Sequence, residues 1–378
     1  MEYHKKQLGH LDLIRRINRA AILNIIKSDQ PISRAQVAKR LELSKATVSA
    51  IVDELMETHL IVESEPSANT GTDRRVGRPS RMLTFNPKAT LCVGITIKGD
   101  HLQGILTDLE GEILNSGETE FHKKPQEVPA FVRDLLDGEN IRPEDLHAIG
   151  VGVPGTVDSK GMVLTSSLLD WQRVDLKSML ENELQVSVFV ENDVNLQALG
   201  ERWLGAGNQD ADVFFLSFED GIGSAIICDG RMIHGCRYIA GEVEYLIESG
   251  DVASLPNYEN GEWGVFEKYC APRSFAKNQR SYADIFAEDN PERDAFLTRI
   301  AVVIANAVSM LNPSSVIIGG KYVREFGQVI EELQWRIKAY TPIPVILRLA
   351  ELGENAEMLG AVNYACERKE QMQLSLFV

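Results

Sequence analysis

Apolar positions recur with a helical period from the N-terminus onward. Between Leu11 and Lys27 the spacing predicts a helix with Ile14, Ile17, Ala21 and Ile25 on one side, closed by Asp29-Gln30-Pro31. Ser33 stands three residues before Gln36, the spacing of a capping box, and Ala35, Val37, Ala38 and Leu41 give a second helix its apolar side. Leu43 turns inward and Ser44 can cap a third helix, in which Val48, Ile51, Val52 and Leu55 form one buried stripe. The opposite face carries Lys45, Ala46, Thr47, Ser49 and Ala50, all short or cationic. Such a face can lie close to a duplex, with Ser and Thr bonding phosphates or base edges and Lys neutralising phosphate. This is the pattern of a helix-turn-helix whose second helix enters a major groove. A plain helical hairpin buried in another core fits the same spacing.

Past this hairpin the period drops to two. Leu60–Glu63 and Met82–Phe85 read as strands flanking a polar stretch that holds Arg74, Arg75 and Arg78. Two strands around a basic loop make a wing whose arginines can reach a minor groove or flanking phosphates; a solvated loop is the bland alternative. Asn86-Pro87-Lys88 marks a junction. Beyond it lie three strands joined by hairpin turns (Leu91–Ile97, Leu102–Asp108, Glu112–Glu120), a helix near Val128–Leu136 and the strand Ala148–Val153. The order recurs: Val213–Phe218, Ser224–Cys228 and Arg231–Ile233, then the apolar helix Glu292–Leu311 and the strand Val316–Ile318. Two such copies predict two related α/β lobes with a cleft between them, and a last helix, about Ala356–Arg368, packing back on the first.

Charge separates the two readings of the hairpin. The formal net charge is −16, yet residues 1–88 hold 15 Lys and Arg against 10 Asp and Glu, while the remainder holds 24 against 45. The segment with the helix-turn-helix is the basic one, which favours DNA as its partner. No apolar run reads as long enough to span a bilayer and no signal-peptide pattern opens the chain, so a cytoplasmic protein without membrane contact is expected. Cysteines 92, 228, 236, 270 and 366 form no CxxC pair and read as scattered reduced thiols.

Several loops are candidates for ligand chemistry. Gly150-Val151-Gly152-Val153-Pro154-Gly155 fits GxGxxG literally, but Pro154 and Thr156-Val157-Asp158 spoil the helix start that a dinucleotide site needs. It reads as a tight strand-end loop facing the cleft. Asp220-Gly221-Ile222-Gly223 and Ile318-Gly319-Gly320 are further glycine turns. Asn192 and Asp193 follow the strand Val186–Val190 and open a helix; the Asp can accept a hydroxyl hydrogen bond or act as a base, or the pair can simply cap the helix. Glu242 and Glu267, each near a glycine, add carboxylates suited to a polyol.

Together these segments resemble the ROK family of bacterial sugar repressors and sugar kinases. The strongest matches are GVGVPGTVD at 150–158, ENDVNLQALGERWLGAG at 191–207, DGIGSAIICDGRMIHG at 220–235 and AGE at 240–242; GRPSRMLTFNP at 77–87 looks like the regulator branch. The resemblance implies an actin-like, ribonuclease-H-like two-lobed domain of sugar-kinase type behind the winged helix-turn-helix. Expected boundaries are 1–88 for the DNA-binding domain and 89–378 for the sensor, with lobes of about 89–200 and 201–355. It implies sugar contacts by Asn192, Asp193, Glu242 and Glu267, with Gly155 in the sugar-side loop, and a dimer or tetramer.

Departures from the family pattern shape the expectation further. The kinases' phosphate loop corresponds here to Thr96-Ile97-Lys98-Gly99-Asp100, where the acidic residue is gone and Lys replaces a required Gly, so nucleotide binding and phosphoryl transfer are expected to be lost. The family's zinc ligands correspond to Tyr245, Tyr258, Asn260 and Val265, so no zinc and no other cofactor is expected, with Tyr245 and Trp263 left to shape the region by packing. Ser167 stands where an Asn is common. The expected function is a sugar-responsive repressor of carbohydrate-utilisation genes, not an enzyme, with operator DNA and a sugar as partners. Ser44, Lys45, Thr47, Ser49, Arg74, Arg75 and Arg78 are its expected DNA contacts. A sugar kinase with an added DNA-binding domain and a regulator answering to a protein partner are the alternatives.

Overall fold

The computed structural model describes residues 2–64, 81–139, 141–258, 263–276 and 280–375. Helix α1 (Glu2–Asp29), strand β1 (Ile32–Ser33), helices α2 (Arg34–Arg40) and α3 (Lys45–Glu57), and strands β2 (Ile61–Ser64) and β3 (Met82–Phe85) share one core. Both expected caps form: the Ser33 hydroxyl and the Gln36 side chain reciprocate as a capping box, and the Ser44 hydroxyl accepts from the Thr47 amide. The α3 stripe Val48, Ile51, Val52 and Leu55 is buried as expected. Two details differ. On α2 only Val37 and Ala38 are buried, while Ala35 faces solvent. On α1 the core takes Ile22 and Ile26, and Ile14 and Ile17 are exposed, because the apolar core of this unit is met by the last turns of the helix. The antiparallel sheet runs β1-β3-β2, its first strand a two-residue piece that the hydropathy pattern did not reveal.

Strands β4 (Cys92–Lys98), β5 (His101–Thr107) and β6 (Ile113–Glu120), helix α4 (Val128–Leu136), and strand β7 (Ala148–Val153) open the first lobe. A small sheet follows of β8 (Thr156–Val157), β9 (Val163–Ser166) and β10 (Trp171–Val174), then helix α5 (Leu176–Leu184), strand β11 (Val188–Asn192) and helix α6 (Asp193–Leu204). The second lobe holds β12 (Val213–Phe218), β13 (Ile222–Cys228) and β14 (Arg231–Met232), the short helices α7 (Val265–Cys270), α8 (Pro272–Ala276) and α9 (Tyr282–Phe286), then α10 (Arg293–Leu311), β15 (Ser315–Gly319), α11 (Val323–Phe326), α12 (Ile330–Tyr340) and β16 (Ile346–Leu349). Helix α13 (Asn355–Ser375) comes last. The two five-stranded sheets run β11-β7-β4-β5-β6 and β14-β13-β12-β15-β16. Each sets three antiparallel strands beside two parallel ones, so the repeat read from the sequence is real, with a fifth strand in each sheet.

Helices α6 and α13 lie between the sheets. Helix α13 packs on β4 and β7 of the first lobe, as expected, while α6 covers β12 and β13 of the second. Small residues allow this closeness. A Cβ on Gly150 would run into the Ala361 carbonyl, one on Gly200 into that of Ala356, and one on Gly360 into that of Leu196. One expectation needs correction: α10 is long and apolar enough to cross a membrane. Here it is a core helix instead, burying Phe296, Leu297, Ile300, Val303, Ile304 and Val308 in the second lobe. The winged-helix unit and the two-lobed unit touch through Leu109, which packs against both cores and whose amide donates to the Pro87 carbonyl at 3.1 Å.

Candidate nucleic-acid interface and ligand cleft

On α3 the predicted contact face is open. Ser44, Lys45, Ala46 and Ala50 are exposed, and Thr47 and Ser49 half-buried. Ser44 and Thr47 are also engaged with each other: the hydroxyls lie 2.8 Å apart and the Thr47 amide donates to Ser44 Oγ at 3.1 Å. Ser44 therefore orders the helix as much as it offers a contact. Behind this face Arg34 ties the unit together, donating to Asp53 at 2.7 Å and pairing with Glu63 at 2.7 Å, a clasp that sequence reading missed. Arg74, Arg75 and Arg78 lie outside the described residues, as does Asn260.

The glycine loop after β7 is a tight turn, as expected. Gly155 has φ +140°, and a Cβ there would meet the Thr165 carbonyl. Its own carbonyl accepts from Asn192 Nδ2 at 3.0 Å, so Gly155 and Asn192 come together. Asn192 is the cap of α6, its Oδ1 accepting the Asn195 amide at 3.0 Å, and Nδ2 also donates to Asp193 Oδ1 at 2.8 Å. Capping and ligand reading are thus compatible: the cap fixes Asn192, and Asp193 keeps one carboxylate oxygen uncommitted to these contacts. Burial, and then the nearby Glu357 carboxylate, push the Asp193 carboxyl up to about 7, with Lys98 pulling the other way.

Glu242 lies near enough to Glu267 to feel its charge. Withdrawal of its carboxyl from water, and then the charges of Glu244 and Glu267, raise Glu242 to about 7, although the residue as a whole is exposed. Glu267 is buried and ion-paired with Arg273, whose guanidinium stacks 4.3 Å from the Trp263 ring. A loop from the second lobe closes over the α6 end: His234 Nε2 lies 2.7 Å from Glu191 Oε2, and the Tyr238 hydroxyl donates to Ser159 Oγ at 2.9 Å. Neither His234 nor Glu191 stood out in the sequence, where they are one His near a turn and one Glu before a helix.

At the other end of the cleft, Lys98 pairs with Glu357, which is 2% exposed, and Glu357 also takes the Thr96 hydroxyl. Glu357, from α13, thus brings a carboxylate to the 96–100 loop, which carries an internal ion pair. Asp100 sits at the exposed hairpin tip against His101, and Asp220, in the turn between β12 and β13, pairs with Lys321. The region where the family holds zinc is aromatic: the Tyr245 and Tyr258 rings pack edge to face at 5.4 Å, and Val265 is buried. Phenol rings packed on each other and an alkyl side chain are not zinc donors, so these residues do not fit the metal. Tyr245 and Trp263 both pack in this region, Tyr245 edge to face with Tyr258 and Trp263 under Arg273.

A winged helix-turn-helix joined to a two-lobed sugar-kinase-type fold defines a class, the DNA-binding regulators built on that fold. Its N-terminal part matches the winged helix-turn-helix DNA-binding family over residues 15–62. The chain belongs to the ROK family, whose sequence profile matches residues 92–368. It is 27% identical to the xylose repressor of Bacillus spizizenii over 94% of this chain and 96% of that protein. Its fold is similar to a crystal structure of a ROK family transcriptional regulator homologous to E. coli MLC (TM-score 0.79, 20% identity, 96% of this chain and 99% of that one). A ROK glucokinase from Streptomyces griseus, solved with glucose and AMPPNP, shares the two-lobed part (TM-score 0.59, 23% identity, 73% and 99%).

Proposed function

We propose that this protein is a sugar-responsive transcriptional regulator, a repressor of carbohydrate-utilisation genes that does not phosphorylate its sugar. The carrying observation is the pairing of a capped, open recognition helix with a cleft whose phosphate end holds the Lys98–Glu357 ion pair. Residues 1–88 act as reader and 89–378 as sensor. Lys45, Thr47 and Ser49 contact operator DNA, with Ser44 ordering their helix and Arg74, Arg75 and Arg78 adding phosphate or minor-groove contacts from the wing. Asn192, Asp193, Glu242 and Glu267 receive sugar hydroxyls beside Gly155. A cytoplasmic homodimer places two recognition helices in successive major grooves, and a tetramer pairs such dimers. Sugar releases DNA by favouring one arrangement of the lobes over another.

The named relatives support this reading, since a xylose repressor aligns over nearly the whole chain. Two measurements test it. Fluorescence anisotropy with DNA from upstream of its own gene should show binding that weakens on addition of xylose, glucose or N-acetylglucosamine. A coupled assay with ATP and the same sugars should show no turnover; robust phosphorylation overturns the regulator reading in favour of a kinase.

A further inference from the structure

Three carboxylates act on Lys98: Glu357 pairs with it directly, while Asp193 and Glu219 act on it from farther off. Glu357 enters from the first turn of α13, Asp193 from the first turn of α6, Glu219 from just beyond β12, and Lys98 from the end of β4. Glu357 is held hard in place. It accepts from Lys98 and Thr96, and its Oε1 occupies the space that a Cβ on Gly152 would need. Lys98 is therefore anchored, and Asp193 and Glu219 both lie close enough to act on it.

We propose that Lys98 is a positioning residue of the sugar site: anchored by Glu357, its ammonium is the fixed cation that keeps Asp193 an acceptor for a sugar hydroxyl. This rests on the sugar-sensor reading above. The argument is electrostatic. Asp193 faces Glu357 from α13, Glu219 from the β12 end and Lys98 from β4, with the Val194 amide as a hydrogen-bond donor. Two buried carboxylates near each other cannot both ionise without a cation. Removing Lys98 leaves the charge of Glu357 acting on Asp193 without this cation to offset it, so Asp193 takes a proton and loses acceptor capacity. Removing the charge of Glu357 instead frees Lys98 for Asp193. The two substitutions therefore act in opposite directions, which a purely structural strut cannot do.

Isothermal titration of the full chain with xylose, glucose and N-acetylglucosamine at pH 6, 7 and 8 tests this. Lys98→Met should weaken binding about tenfold at pH 7 and move the rise of affinity with pH upward by about one unit. Glu357→Gln should bind at least as tightly as wild type at pH 6, with a flatter profile. Lys98→Arg keeps the cation and should keep the wild-type profile, which guards against misfolding of the Met variant. Glu242, raised first by burial and then by Glu244 and Glu267, titrates alike in all variants. If wild type binds one of the sugars but both neutral variants weaken with unchanged pH profiles, or neither changes, the role of Lys98 is overturned alone. If wild type binds none of the three at any pH, the sugar reading falls and this proposal with it.

Discussion

His234 Nε2 and Glu191 Oε2 lie 2.7 Å apart, joining the loop after β14 in the second lobe to the end of β11 in the first. The other oxygen of Glu191 accepts the Asn192 amide at 2.9 Å and Asn195 Nδ2 at 3.0 Å, so one carboxylate both links the lobes and shapes the α6 start. The bond with Glu191 raises the His234 pKa, against the opposing pull of burial. A histidine raised above its unfolded value stabilises fully below the unfolded pKa of about 6.5, and that stabilisation fades as pH rises through the folded one. His234→Ala should cost about 1–2 kcal/mol at pH 6 and less at pH 9. Urea unfolding at the two pH values checks this; equal costs would remove the ionic link.

Asp193 gives the opposite lesson. Its carboxyl is raised to about 7, so ionising it in the folded protein is uphill. The fold therefore loses stability as pH climbs from about 4, where the unfolded Asp titrates, to about 7. Asp193→Asn should raise the melting temperature by roughly 2–5 °C at pH 8, with little gain at pH 4.5, while abolishing sugar binding. A melting temperature unchanged at pH 8 would mean that the carboxylate is not strained.

On α3 the cap residue Ser44 and the exposed Lys45 can be tested apart. Ser44→Ala removes a cap and should cost about 1 kcal/mol of stability in the winged helix. Lys45→Ala leaves the cap intact. It should lower the slope of log affinity against log salt by about 0.9 with an unchanged melting curve, if Lys45 sits on one phosphate. Titrations of operator DNA at several salt concentrations separate the two.

The central helices have no room for a methyl group. Gly200 faces the Ala356 carbonyl and Gly360 that of Leu196, backbone against backbone. Gly200→Ala or Gly360→Ala should destabilise the sensor by about 3 kcal/mol or more, because neither carbonyl can swing aside without breaking its helix. Thermal unfolding of the variants, compared with an exposed control such as Gly250→Ala, reads this directly; Gly250 has open surroundings and no positive φ.

Much of this was legible beforehand. The capping spacings at Ser33 and Ser44 and the α3 stripe are local, set by neighbours within one turn, and they appear as read. The duplicated strand order was equally visible, because each strand carries its own apolar run. Side-chain pairing was not. Ala35 and Ile14 look like core from their period but face solvent, since the period gives a direction and cannot say whether anything lies there. The fifth strand β16 and the small sheet β8–β10 are short and half polar, and hydrogen bonding to distant partners makes them strands.

The sequence by itself determined the elements, the basic reader ahead of an acidic sensor, and the glycine and carboxylate motifs of the cleft, because all of these are written in spacing and charge. Only the tertiary structure decided that Glu357, 259 residues from Lys98, would become its counter-ion. It also decided that His234 would reach Glu191 and that a helix apolar enough for a membrane would be buried as core. Those outcomes depend on which surfaces meet in space, and buried charge selects its partner by proximity after folding, not by position along the chain.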